Sequence, residues 1–318
     1  MAMNLSNPIQ YLRATKAAIA QRTGKMGEMN YAYDVHELYA HDGVTPGGWL
    51  IGGGTPWWKE TGEYNIYMST TGSDDNDGLT PETAVASLAK AIQLTSRFVY
   101  GRCIPGINIA AGTYDIGYIR IGELCRSLQY IVMKGADRDT TILQGMIEIA
   151  GIIAAIHNIS IAPRADQLSL LSGITPAFTH VASCGVCTYN NVAVISPTIS
   201  AEDRTSYFLF CCDTNSFIIV TGESKIVGAS NYTNIISANT CSSFALTGNL
   251  NLSGICARVL LLANFGNFYF YANPSFTGSI TGSKYYVGHF GVMDLQGRGV
   301  NSIPATNNGI LDEYGLIL

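Results

Sequence analysis

The chain has 318 residues with 18 Lys and Arg against 23 Asp and Glu, and a net charge of −5 supplies no basic field for nucleic acid and disfavours anionic membranes. Hydrophobic residues reach 47%, yet no apolar run approaches the roughly 18 residues that span a bilayer, so membrane insertion is not expected and the apolar excess goes into packing. Charged residues are only 13%, about half the roughly 25% of an average domain, which points to a surface buried between subunits or coated with Ser, Thr and Asn.

Residues 1–55 read as a separate module. The first residues are polar and form no hydrophobic leader, so no signal peptide is expected. Asn7–Arg22 carries helical spacing, and Gly27–Trp49 reads as two alternating strands around a turn at Asp34, ended by Gly-rich turn residues. Ile51-Gly-Gly-Gly-Thr55 is a flexible joint, followed by Trp57 and Trp58, which either pack the neck between modules or stack on sugar.

Tyr67–Ile92 joins a short strand, a turn dense in Asp, Asn and Gly, and a capped helix. Thr80 can cap, Pro81 suits the first helical position, and Glu82 complements the positive helix end. Val85, Leu88, Ala89 and Ile92 then form one apolar stripe at i, i+3, i+4 and i+7. A short helix with one such stripe is expected to lie on the strands that follow it. The turn Ser73–Gly78 lacks the leading Asp and twelfth-place Glu of an EF-hand, with Ser73 and Ala84 at those places. No metal is expected there.

From about Gly106 to Phe276 the chain repeats. Ser183–Val192, Phe210–Phe217, Ser237–Phe244 and Leu262–Phe268 each run from a strand end through a polar turn into a new strand. Val192, Phe217, Phe244 and Phe268 are 25, 27 and 24 residues apart, the period of one solenoid coil. Ile156–Ile161 reads as an earlier member, and residues 162–182 as a loop excursion. Residues 277–318 differ again in composition. The eight cysteines, Cys103, Cys125, Cys184, Cys187, Cys211, Cys212, Cys241 and Cys256, lie mostly among strand residues and read as core thiols, with disulfides the alternative. Cys184 and Cys187 have redox or zinc spacing without a second pair.

Three regions carry a resemblance: the opening coils, the N-terminal module and the closing segment. Tyr67–Ile92, Ile107–Tyr114 with its Gly-Thr-Tyr, and Ile131–Gly145 with its Thr-Thr-Ile-x-x-Gly resemble, in order, the opening coils of pectate-lyase-like right-handed β-helices, especially those of bacteriophage tail spikes and tail fibres. Gly27, Glu28, Tyr31, Asp34, Asp42, Gly43 and Thr45 resemble the virion-proximal module of such fibres, with His41 in place of the usual Gly. Gly282, Tyr285, Val287, Gly291, Val292, Gly297, Gly299, Asn301, Ile303 and Pro304 resemble a closing segment of tail spikes, with Ala305 where the family has Gly.

The resemblance implies a mainly β fold. It would be a right-handed parallel β-helix capped by a short N-terminal helix, with small N-terminal head and C-terminal β modules, in a homotrimer. The implied divisions are 1–55 for attachment and trimerisation, 56–105 for neck and capping helix, 106–276 for the β-helix and 277–318 for closure. The implied role is attachment of a phage virion to a host surface polysaccharide, with other tail or baseplate proteins bound through the N-terminal module. A glycan depolymerase of the same fold and a structural adaptor for other fibres are the alternatives, because one fold hosts many functions.

Hydrolysis needs paired carboxylates about 5 to 9.5 Å apart. The coils are poor in acids. Asp115, Glu123, Asp137, Asp139 and Glu148 lie in the first coils and read as loop charges. Glu202, Asp203, Asp213 and Glu223 are the late carboxylates able to supply catalysis, although Asp213 is ordinary in a turn and Glu223 beside Lys225 reads as a surface ion pair. Phe265, Tyr269 and Tyr271 are the candidates for stacking on sugar rings. His157 reads as a satisfied strand residue. No phosphate loop, dinucleotide fingerprint or Ser-His-Asp order appears, so no cofactor is expected.

Overall fold

The computed structural model describes residues 12–35, 37–52, 61–96, 102–124, 130–163, 177–196, 207–228, 233–252, 255–271, 274–312 and 314–318. The chain divides into two compact units, Met1–Gly62 with Val99–Cys103, and Glu63–Phe98 with Ile104–Leu318. Among the described residues, no helix is long and apolar enough to cross a membrane.

The first unit holds a four-stranded sheet in the order Leu12–Ala14, Met29–Ala32, Glu37–Ala40, Trp49–Gly52. The hairpin expected around Asp34 is present, with Asn30 opposite Tyr39 and Tyr31 opposite Leu38. The helical reading of Asn7–Arg22 needs correction. Among the described residues of that stretch, Leu12–Ala14 is a strand paired in parallel with Asn30–Ala32, and only Lys16–Ala20 is helical, capped by the Thr15 hydroxyl. Sheet pairing overrides a helical spacing this short, since a helix of a few residues is marginal on its own. His41 is buried here, its Nδ1 accepting from the Gly24 N–H at 3.1 Å.

The second unit is mainly β, with two long sheets of the solenoid-like class. One sheet has ten strands and the other fourteen, and successive coils pair in parallel. Thr141–Ala150 belongs to two stacks at once. Its first half pairs with Ser160–Ile161, and its second half with Ala177–Ala182. Three stacks of strands therefore enclose one core. Its ladders are continuous. Ile107, Met133, Ile156, Tyr189, Val220, Leu246 and Phe270 are register partners in turn, all buried. Each such side chain contributes about 1.5–3 kcal/mol by leaving water, and edge-to-face contacts such as Tyr189 on Phe210 at 5.3 Å tighten the packing.

The repeat is real but its register is not the column Val192, Phe217, Phe244 and Phe268 that the spacing suggests. Phe244 and Phe268 are partners, but the column continues through Ile218 to Cys187, not through Phe217 to Val192. Phe217 pairs with Val186 and Ser243 and is half-buried. In a strand a slip of one residue moves the side chain to the opposite face. The expected loop excursion also changes: Ala177–Ala182 is a strand paired on both edges, and the remainder of 164–176 lies outside the described residues. Residues 277–318 extend both sheets, with Ile280–Gly288 on Ile255–Asn264 and Val292–Asp294 on Asn267–Phe270.

The single helix expected after Thr80 is two pieces. Thr80 caps a 3-10 turn, Pro81–Thr83, in a reciprocal capping box with Thr83. Val85 then bridges Met68 as a strand residue, and Ser87 caps a new helix, Leu88–Thr95. The Asp74 carboxylate holds the break by accepting from the Ala86 and Ser87 N–H groups at 2.9 Å and from the Ser87 hydroxyl at 2.6 Å. Val85, Leu88 and Ile92 are buried as the stripe requires, but Ala89 is exposed and Ala91 is buried instead. Cys187, Cys211 and Cys212 are buried free thiols, whereas Cys184 and Cys241 are exposed and free.

Candidate functional site

One corner of the coils carries the most unusual chemistry. The turn that leads into the ten-stranded sheet is closed in successive coils by Gly185, Ser216, Ser242, Gly266, Gly291 and Gly315. The carbonyls of Gly185, Ser216, Ser242, Gly266 and Gly291 accept from the next coil's Phe217, Ser243, Asn267, Val292 and Leu316 N–H groups. The position is cramped against the coil before it. A Cβ on Gly266 would sit 2.3 Å from the Ala238 carbonyl oxygen, and one on Gly315 would sit 2.4 Å from that of Val287. Where serine takes the place, its hydroxyl binds a carbonyl of the earlier coil, Ser216 on Val181 at 2.6 Å and Ser242 on Cys212 at 2.8 Å.

The residue just before this position is pushed outward. Along the stack it is Cys184, Asn215, Cys241, Phe265, Phe290 and Tyr314. Cys184, Asn215, Cys241, Phe265 and Phe290 have φ between 56° and 65°, a left-handed conformation that bulky side chains rarely adopt. The last three form a continuous ridge. Phe265 lies 5.5 Å from the His289 ring and 6.3 Å from Phe290, and Phe290 stacks on Tyr314 at 5.0 Å and 26°. Phe265, Phe290 and Tyr314 are 50%, 66% and 55% exposed. Strained backbone that presents apolar rings to water contributes little to folding, so the ridge is a binding candidate.

Phe265 therefore belongs to the ridge. Tyr269 and Tyr271 stack on each other at 5.7 Å and 22° as a second platform, and no ring contact among the described residues links the two groups. Sequence reading missed His289, Phe290 and Tyr314. The available signal was the aromatic-Gly pair recurring at coil spacing in Phe265-Gly266, Phe290-Gly291 and Tyr314-Gly315.

The two described carboxylate candidates, Asp213 and Glu223, do not converge. Asp213 is half-buried in its turn, where its carboxylate accepts from the Thr214 N–H at 2.8 Å. Glu223 is exposed and accepts from the Asn249 amide at 2.8 Å. The strand Phe217–Thr221 separates them, a rise of roughly 17 Å at about 3.3 Å per residue, well beyond the separation for glycoside hydrolysis. Lys225 pairs with Asp139, not with Glu223, because the register brings it beside the turn that holds Asp139. Glu202 and Asp203 lie outside the described residues. Cys184 and Cys187 do not share an environment, one being exposed and one buried.

Glu148, read as a loop charge, is instead buried in mid-strand. Arg120 approaches it at 2.8 Å, the Tyr118 hydroxyl donates to it, and His180 Nδ1 lies 3.7 Å away. Burial pushes the Glu148 carboxyl up, but the hydrogen bonds and charges of His180, Tyr118 and Arg120 together hold it below its ordinary value. Comparison of the chain with protein families, curated proteins and solved structures returns no match.

Proposed function

We propose that the protein is a phage tail-spike or tail-fibre protein that attaches to a host surface glycan. Its stacked coils would form a right-handed β-helix covered at the N-terminal end by the helix Leu88–Thr95, in a homotrimer. The observation that carries this reading is the exposed ridge of Phe265, Phe290 and Tyr314 on an acid-poor, rigid scaffold. Aromatic rings offer large contact area at low entropic cost, and a scaffold of stacked strands holds them in place before the ligand arrives. Burial of Leu88, Ala91, Ile92 and Leu94 in the same core as the strands supports the cap. The low charge content supports a subunit interface. Three copies would multiply weak sugar affinity through avidity.

Purified protein tested on host cells decides between roles. Adsorption without release of reducing ends from host polysaccharide is the expected result. Release of reducing ends makes the protein a depolymerase, and absence of adsorption makes it an adaptor for other fibres.

A further inference from the structure

The late coils hold the one Asn-Gly pair of the sequence, Asn308-Gly309. It links two short strands, Ala305–Asn307 and Ile310–Leu311, that both lie on Ile280–Gly288. Ile280 and Ser283 face Ala305 and Asn307, while Tyr286 and Val287 face Ile310 and Leu311. Packing dictates the pair. A Cβ on Gly309 would sit 2.4 Å from three atoms of the Tyr285 ring, so only glycine fits against the face of that ring. Asn ahead of glycine suits the tight link between the strands. Asn308 is exposed and Gly309 half-buried. Among the described residues, neither the Asn308 amide nor the Gly309 N–H has a hydrogen-bond partner.

Asn is a thermolabile residue, and the residue after it sets how fast it reacts. A following glycine has no Cβ to hold its nitrogen away from the Asn Cγ. Every other Asn in the sequence precedes a residue with a side chain. We propose that Asn308 is a site of spontaneous deamidation and that its β-linked product releases Ile310–Leu311 from the sheet. Hydroxide or another base in solution takes the Gly309 N–H proton. The nitrogen attacks Asn308 Cγ, a C–N bond forms, the bond from Cγ to the side-chain nitrogen breaks, and ammonia leaves with a proton. Water then opens the five-membered imide at either carbonyl, giving aspartate or isoaspartate. Water enters and ammonia leaves, so no oxidant or reductant takes part. Isoaspartate carries the chain through its side-chain carboxyl, which adds one methylene to the main chain. With that extra atom Ile310–Leu311 no longer meets Tyr286–Val287 in register. Little else holds this strand, which is two residues long with Ile310 57% and Leu311 51% exposed.

The full chain is incubated at mildly alkaline pH beside a free peptide of residues 306–310, until the peptide has fully reacted. Fragment mass spectrometry should place a gain of one dalton at Asn308 before any other Asn, and isoaspartyl methyltransferase should label the same site. Hydrogen exchange at Ile310 and Leu311 should then run at least tenfold faster than in fresh protein. Asn308→Gln, whose longer side chain closes a ring less readily, should neither gain the mass nor change its exchange. Fresh Asn308→Asp adds the charge without the methylene and should exchange like fresh wild type. Four results would overturn the inference. They are an intact Asn308 once the peptide has reacted, earlier reaction at another Asn, unchanged exchange in the modified chain, and an equal gain in exchange in aged Asn308→Gln or fresh Asn308→Asp.

Discussion

The first and last coils build the same corner from different side chains. Cys184, Asn215 and Cys241 occupy the outward turn position in the early coils, and Phe265, Phe290 and Tyr314 occupy it in the late ones. The position that follows them makes the same bond between coils in both regions, Gly185 and Ser216 accepting from Phe217 and Ser243 as Gly266 and Gly291 accept from Val292 and Leu316, so the turn does not require aromatic rings. A parallel change runs along one register column, from Arg120, Glu148 and His180 through Cys211 and Ser237 to Leu262 and Tyr286. Charge is concentrated in the early coils of that column and apolar or aromatic character in the late ones. The contrast separates what the scaffold needs from what it displays.

The largest expected effect tests the shared scaffold. Gly266→Ala places a Cβ 2.3 Å from the Ala238 carbonyl oxygen, and backbone must shift to relieve it. Denaturant unfolding should show a loss of about 3 kcal/mol. An unchanged midpoint would mean that the corner is not shared by the late coils. Glu148→Gln comes next, at about 2 kcal/mol, because the pair with Arg120 is buried on one side and partly open on the other. Its pH dependence has a definite sign. Since the folded-state value lies below the ordinary 4.5, Glu148 contributes stability above about pH 4.5 that disappears as pH falls through the folded value. Acid melting curves of wild type and Glu148→Gln should converge below that range, and curves that stay parallel would remove the carboxylate from the account.

A smaller effect in energy, and the sharpest for function, comes from giving the late corner early side chains. Replacing Phe265, Phe290 and Tyr314 together by Asn should weaken adsorption to host cells at least tenfold, or ~1.4 kcal/mol. Thermal stability should hold or rise, since Asn tolerates the left-handed conformation of Phe265 and Phe290 better than Phe does. Full adsorption by this variant would return the ridge to a packing role. The smallest effect is Ser242→Ala, which removes the hydroxyl's bond to the Cys212 carbonyl at 2.8 Å and should cost about 1 kcal/mol in thermal or chemical denaturation.

Much of this was legible in the sequence. The coil period, the strand-turn-strand content, the Thr80 cap and the turn at Asp34 are local features, set by residues within one strand or turn of each other. The aromatic-Gly recurrence was also on view, yet it means little until the glycines are known to press on the coil before them. Val85 shows how a local signal misleads: its helical spacing was sound, but the Met68 bridge and the Asp74 clip pulled it into the sheet.

By itself the sequence determined that the chain would coil, roughly how long each coil would be, and that few charges would remain on its surface. The tertiary structure alone decided which residues share a column. It placed Ile218 rather than Phe217 beneath Phe244, buried Glu148 between Arg120 and His180, and lined up Phe265, Phe290 and Tyr314. The physical reason is that a column joins residues some 25 positions apart through backbone pairing between coils. A shift of one residue in that pairing exchanges the inner face for the outer, and no local propensity records the shift.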